Sequence, residues 1–434
     1  MGNEQAHLEA HSRPLPPRLG APAGVLLWRD RMLKIGGGLL LVSLVFLFTG
    51  NPVTTDHFLR AWLLGFMMCF GAMGGSLVLL MLQYVSGGKW GLLLRRPFEA
   101  ATRTLPLVAL MFLPVGIFAK RLYLWAAVKN VAEAVKNGVI NQSQAHAIDF
   151  KRPMMNLSSW WLRYVLYFAI LGLIIFLLNK WSLDRDADPE AGTVGSFTRW
   201  RVRFENLSGP GILVFCIILT GASIDWIMSL DIGWYSTIYG LQFLVGQAYG
   251  ALALGILTVI LLSKAEPMRT ILRKTEQYDL GKFAMAFVML NIYLAFAAFL
   301  IIWSGNQPEE IPWYLNRIRG GWWYICTLDF VCHWVIPFTL LLSRDLKFNK
   351  TKMAALASWM LFARWVDLFW LIEPNFPDAA RNLHFSVGIF AYLVVPAAMI
   401  SLWAAYYLRQ LKSRPLVNVN DPHLEEILEH EHVH

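Results

Sequence analysis

The sequence predicts an all-α polytopic membrane protein of about ten transmembrane helices. Helices two to five and six to nine form two tandem four-helix bundles, and helices one and ten are peripheral. Three observations predict it. Of 434 residues, 56% are hydrophobic and only 15% charged, against about 45–50% and roughly 25% in soluble domains. The apolar residues gather into blocks of about 20, the length that crosses a hydrocarbon core. Glycines recur at the same spacing in the second and sixth blocks. Disorder, a disulfide scaffold and an ordinary soluble enzyme are excluded.

The elements follow in order. Residues 1–31 hold prolines, histidines and acids, with no signal-peptide pattern, and are expected in the cytoplasm. Peripheral helix one, within 32–56, spans Met32–Phe48, with Lys34 near its start. The first bundle, 57–230, contains spans Phe58–Tyr84, Phe98–Phe118, Trp160–Leu178 and Pro210–Leu230. Its loop 120–159 is external, with Ala126–Val139 expected as an amphipathic surface helix. Ser182–Gly195 is expected as a flexible acidic loop. The second bundle, 231–373, contains Ile238–Leu262, Leu280–Trp303, Gly321–Leu342 and Met353–Ile372. Asn306–Trp313 reads as a turn leading into an interfacial aromatic anchor, and Pro114 and Pro337 as sites of helix bending. Peripheral helix ten, within 374–408, spans Phe385–Tyr407, and 409–434 is a cytoplasmic tail. The tail histidines His430, His432 and His434 read as solvated rather than as a metal site.

The glycine register relates the two bundles. Gly65, Gly71 and Gly75 recur as Gly240, Gly246 and Gly250, and each set contains a GxxxG that lets helix backbones approach closely. Asp225 is followed six residues on by Asp231, as Asp367 is by Glu373.

The net charge of +9 is topological. Of 38 Lys and Arg, 25 fall on the side of the N-terminus, and the short loops opposite hold few. Both termini are therefore expected in the cytoplasm, and no nucleic-acid partner is needed to explain the basicity.

The ligand inventory is thin. Cys69, Cys216, Cys326 and Cys332 all lie in apolar blocks without a CxxC or CxxCH, and read as small buried hydrophobes. Of ten histidines, only His333 sits deep in a span, too few for a bis-His haem. There is no phosphate loop. The expectation is no metal, no cofactor and no catalytic residue in this chain.

Charge inside a span costs about 2.5–3.5 kcal/mol per residue, so each such group needs a partner and usually a task. Helix three carries Glu99 and Arg103, four apart; helix five Asp225; helix eight Asp329 and His333; helix nine Arg364 and Asp367. Placed by depth they run from one face to the other, as a proton relay requires, with a histidine that changes charge near neutral pH. Glu99–Arg103 and Arg364–Asp367 also read as self-neutralising pairs. Asp225 and Asp329 lack a cation at i±3 or i±4, apart from His333 if protonated, and are the stronger functional candidates.

Several stretches resemble a known family. They are Ala101–Leu107, Ile224–Leu230, Trp234–Gly240, Phe299–Asn306, Pro308–Leu315 and Leu342–Asp345, with Arg414–Leu416, Asp421-Pro422 and Leu424–Glu426 continuing the pattern. These look like the ActF-type membrane subunit of alternative complex III, a bacterial quinol:electron-acceptor oxidoreductase, within the NrfD/polysulfide-reductase-type membrane proteins. The resemblance implies the ten-helix, two-bundle fold in the bacterial inner membrane. It implies partners as well: a homologous NrfD-like subunit holding the quinol pocket, iron–sulfur and c-haem subunits, and a terminal oxidase as a further neighbour. This subunit would carry no redox centre, would support assembly, and would offer part of a proton path. That role carries over to Asp225, inside a matching stretch, and to Glu99 and Arg103, which flank or join another. The alternative from the residues alone is a free-standing ion- or proton-coupled transporter, which would need broken helices around a midplane pocket. A quinol pocket in this chain is a third reading, though aromatic-rich bundles are mostly packing.

Overall fold

In the computed structural model, residues 19–48, 52–88, 90–376, 387–418 and 420–421 are described. The expected cytoplasmic segment before Leu19 and the Glu/His tail after Asp421 lie outside the described residues.

Among the described residues there is no strand; the only extended pairing is a single bridge between Gly20 and Pro415, which ties the two ends of the chain together. Among the described residues eight helices are long and apolar enough to cross a membrane, and a pair bent by 46° makes up to nine when counted as one span. We label the long elements α1 (Gly24–Phe48), α2 (Pro52–Ser86), the bent pair α3 (Trp90–Thr102) and α4 (Leu105–Ile117), α5 (Leu157–Asp186) and α6 (Val194–Trp226). They continue as α7 (Tyr239–Leu262), α8 (Lys274–Gly305), α9 (Trp322–Leu342), α10 (Lys350–Ile372) and α11 (Ala391–Lys412). α1, whose first half carries Arg29, Asp30, Arg31 and Lys34, lies over the first expected span but is not among these eight or nine. The protein is an all-α polytopic membrane protein.

Each set of helices closes a ring. The α3/α4 pair packs on α2, α4 on α5, α5 on α6, and α6 back on α2. Likewise α7 packs on α8, α8 on α9, α9 on α10, and α10 back on α7. The rings meet where α2 lies against α7, and α11 covers α2 with α1 outside it. Burial follows this order. In the most apolar window 89% of α2 and 78% of α7 is buried, against 28% of α5 and 22% of α8 and α9. The last three therefore present apolar side chains outward, as lipid-facing helices do.

Glycine sets the α2–α7 distance. A Cβ on Gly75 would lie 2.7 Å from the Ala251 Cβ and would overlap the Gln247 carbonyl, and one on Gly71 would overlap the Gln247 side chain. On α7 the equivalent Gly246 seats the Arg364 guanidinium, 2.5 Å from where a Cβ would be, and Gly240 seats Thr220. The shared register thus serves two purposes. In α2 it admits a backbone; in α7 it admits a charged side chain from α10.

Several expectations are corrected. The bend of span three falls after Thr102 rather than at Pro114, because Pro106 lacks the N–H that would continue the helix. Ala126–Val139 is not one helix: it breaks into Leu124–Ala127 and Val131–Lys136. Asn130 caps the second piece by accepting from the Glu133 N–H, and Gly138, at φ +67°, ends it. Trp313 is not an interfacial anchor. It is buried and stacks on Trp234 at 4.3 Å between ring centres. The start of Ser182–Gly195 is helical up to Asp186, and Asp188 accepts from Ser196 Oγ, Trp200 Nε1 and Arg199 at 2.6–2.7 Å.

Candidate functional site

The seven charged candidates sort into three places. Asp329, His333, Arg364 and Asp367 come together inside the second bundle. The local cause lies in α9, which runs as α-helix over Trp322–Asp329, as π-helix over Phe330–Val335, and as α-helix again over Ile336–Leu342. Pro337 has no N–H to give the His333 carbonyl four residues earlier. That carbonyl instead faces the Tyr249 hydroxyl of α7, which donates to it at 3.4 Å. Trp359 Nε1 of α10 donates to the neighbouring Cys332 carbonyl at 3.0 Å. The widened turn is held by side chains from two facing helices, and such turns are frequent at functional sites.

His333 Nδ1 sits 3.6 Å from an Asp329 carboxylate oxygen, and its ring lies against Tyr249 with centres 4.4 Å apart. Arg364 is ion-paired with Asp367 one turn away. One donor atom each from Asp329, His333 and Asp367 lies within 4.8 Å of the others, the one such three-residue group among the described residues. A small cation would find three ligands here, but the guanidinium already supplies positive charge to Asp367.

These groups line the base of a cavity of about 230 Å³ between α7, α8, α9, α10 and the short helix Ile311–Ile318. Its walls include Tyr239, Gln242, Asn291, Trp313 and Tyr314. Several buried polar atoms find no hydrogen-bond partner among the described residues: His333 Nε2, an Asp329 oxygen, and Arg364 Nε and one Nη. Buried polar atoms are otherwise hydrogen-bonded, and exceptions mark places where water or an exchanging proton belongs.

Above the cavity, on the side away from the chain ends, stands Arg317, fully buried. It lies 3.5 Å over the Trp313 ring and donates to the Trp313 and Leu371 carbonyls and to Asn375 Oδ1. No carboxylate touches it among the described residues, and burial lowers its pKa to about 9.

Asp225 belongs to a different arrangement. Arg163 of α5 donates to both its oxygens at 2.7 Å, and the Tyr167 hydroxyl donates at 3.0 Å. The carboxylate has a full set of partners.

Glu99 and Arg103 lie at the end nearest the chain termini, and they do not pair with each other. Glu99 takes Arg96 at 2.7 Å and the Ser182 hydroxyl at 2.6 Å. Arg103, just after Thr102, directs its guanidinium instead to Asn179 and Gln410 at 2.6–3.0 Å. Between these groups and Asp225, bundle one is filled by rings. Phe112 alone touches Phe66, Trp160, Tyr164 and Trp226 at 4.5–5.2 Å between centres.

Sequence reasoning missed Arg163 and Tyr167 as partners of Asp225, and Tyr249 as the partner of the π turn. The available signal was the roster of cations within spans. Arg60, Arg163 and Arg364 each meet a carboxylate (Glu373, Asp225 and Asp367), while Arg103 meets amides and a carbonyl. No family model and no curated protein matches the chain.

Proposed function

We propose that this chain is an integral membrane subunit of a quinol-oxidising respiratory electron-transfer complex of the alternative complex III type. In this reading it carries no redox centre, supports assembly of the membrane domain, and contributes proton-exchanging groups. It sits in the bacterial inner membrane with both termini in the cytoplasm, beside a homologous quinol-binding subunit and the iron–sulfur and c-haem subunits. What supports the reading most is the group of half-buried Asp329 with buried His333, Arg364 and Asp367, half-satisfied and opening on a cavity between helices. Titratable groups placed where charge is costly and left incompletely hydrogen-bonded suit proton exchange with water. The outward apolar faces of α5, α8 and α9 suit both lipid and neighbouring membrane subunits.

The reading assigns proton exchange to the second bundle and a structural role to Asp225. Its test is the proton-to-electron ratio of the reconstituted complex. His333→Leu and Asp329→Asn should lower that ratio while quinol oxidation continues, and Asp225→Asn should leave it unchanged in any complex that still assembles. A ratio unchanged in both second-bundle variants would overturn the proton role.

One observation favours a second reading, an ion-coupled transporter: α9 is interrupted by its π turn beside the cavity, as discontinuous helices are at transporter sites. Purification separates the two. A transporter leaves the membrane alone or as copies of itself, a complex subunit with haem-bearing partners.

A further inference from the structure

We propose a binding site for a phosphate-bearing anion, the headgroup of an anionic phospholipid, at the end of the first bundle nearest the chain termini. The argument begins with charge. Five guanidinium groups gather there, from Arg95, Arg96, Arg103, Arg185 and Arg414, and among the described residues three carboxylates interleave with them: Glu99, Asp186 and Asp421. The pairs are specific. Arg95 and Arg96 contact Asp421 and Asp186, Arg96 also holds Glu99 at 2.7 Å, and Arg185 lies 3.6 Å from Asp421. Among the described residues that leaves an excess of two positive charges over a cluster in which Arg95, Arg96 and Arg185 are nearly inaccessible and Arg103 and Arg414 half-buried. Buried charge is expected to be balanced.

The second observation is geometric. Beside this cluster is a cavity of about 500 Å³, lined by Arg95 and Arg185 together with Gln83, Tyr84, Asn420 and the Asp421 carboxylate that Arg95 holds. Arg185 has 7% of its side chain exposed, and among the described residues its Nε, 3.9 Å from Asp186, and one Nη have no hydrogen-bond partner. The Tyr84 hydroxyl, on a residue 8% exposed, has none either. Arg185 and Tyr84 both line this space, and a guanidinium beside a hydroxyl matches the oxygens of a phosphate, which guanidinium binds in a forked manner. The rim adds Arg201, which is paired with Glu205 at 2.7 Å.

The surroundings select the source of that phosphate. Val85 and Val194, at the cavity edge, are exposed apolar residues at helix ends, where acyl chains would run. Basic pockets between transmembrane helices at one membrane face are a recurrent setting for anionic headgroups. The assignment is independent of the proton-exchange reading, which concerns the other bundle.

Native mass spectrometry of the full-length protein in detergent, titrated with phosphatidylglycerol, phosphatidylcholine or inorganic phosphate, tests it. Phosphatidylglycerol should stay bound where phosphatidylcholine does not. Arg185→Gln should weaken it about tenfold, the equivalent of one charge-assisted hydrogen bond. Tyr84→Phe should weaken it less, and Arg185→Lys should restore part of the loss, which a merely misfolded Arg185→Gln would not explain. Arg319→Gln, an exposed cation at the opposite end, should change nothing. Retention of inorganic phosphate with no preference for the lipid would keep the anion site and assign it to free phosphate. Equal binding of the two lipids without phosphate binding, or undiminished binding in both Arg185→Gln and Tyr84→Phe, would overturn the proposal. So would anionic lipid that binds only after the chain is shortened to Asp421, since the counter-charge would then be the protein's own acidic tail.

Discussion

Arg163 on α5 and Asp225 on α6 form a two-pronged ion pair, both contacts 2.7 Å, and Tyr167 donates a third hydrogen bond to the same carboxylate. Asp225 is 1% exposed. The pair ties two adjacent helices of the first bundle at the end away from the chain termini.

Removing one partner should therefore be worse than removing both. Arg163→Leu leaves a buried carboxylate unpaired, which costs about 3–5 kcal/mol. The double variant Arg163→Leu with Asp225→Leu should recover most of that. Thermal unfolding in detergent measures both, and a double variant as unstable as the single would show that the pair contributes more than mutual neutralisation.

Glycine position should matter more than glycine number. Gly75→Ala places a methyl group against the Gln247 carbonyl and the Ala251 Cβ, atoms held by α7, and overpacking of this kind costs about 1–3 kcal/mol. Gly37→Ala on α1 meets nothing within 4 Å and should stabilise the helix by about 1 kcal/mol. Melting temperatures of opposite sign relative to the parent are the expected result.

Asp188 should give a recognisable acid limb. Hydrogen bonds from Ser196, Trp200 and Arg199 hold its pKa below the ordinary carboxylate range. A carboxylate with a depressed folded pKa stabilises fully above its unfolded value, about 3.9, and loses that contribution as pH falls towards the folded one. The gap in melting temperature between the parent and Asp188→Ala should therefore be constant from about pH 7 to pH 5 and narrow below about pH 4. A gap that is flat down to the lowest pH at which the parent stays folded would show that the hydrogen bonds do not depend on the charge.

How much was legible differs between fold and site. The span positions were legible because hydrophobic run length is a local property set by bilayer thickness. The GxxxG register was legible as a place of close approach, but not what approaches: a backbone at Gly75, an arginine side chain at Gly246. The Arg364–Asp367 pair could be read from its spacing, since a helix brings i and i+3 together. The same rule failed for Glu99 and Arg103, although the Arg103 N–H still donates to the Glu99 carbonyl at 3.2 Å, because Arg96 and Ser182 take the carboxylate and Asn179 and Gln410 take the guanidinium. Arg163–Asp225 and the Tyr249 contact to His333 join different helices, and one sequence carries no information on which helix faces which.

The sequence by itself determined that this protein crosses the membrane repeatedly, where its helices lie, and which few charges must be dealt with inside them. These follow from composition, period and length, which each residue contributes without regard to distant ones. Only the tertiary structure decided how those charges divide: Asp225 locked by Arg163, and Asp329 and His333 left open to a cavity. The physical reason is that satisfying a buried charge depends on the particular neighbour across a helix interface, and helix packing alone supplies it.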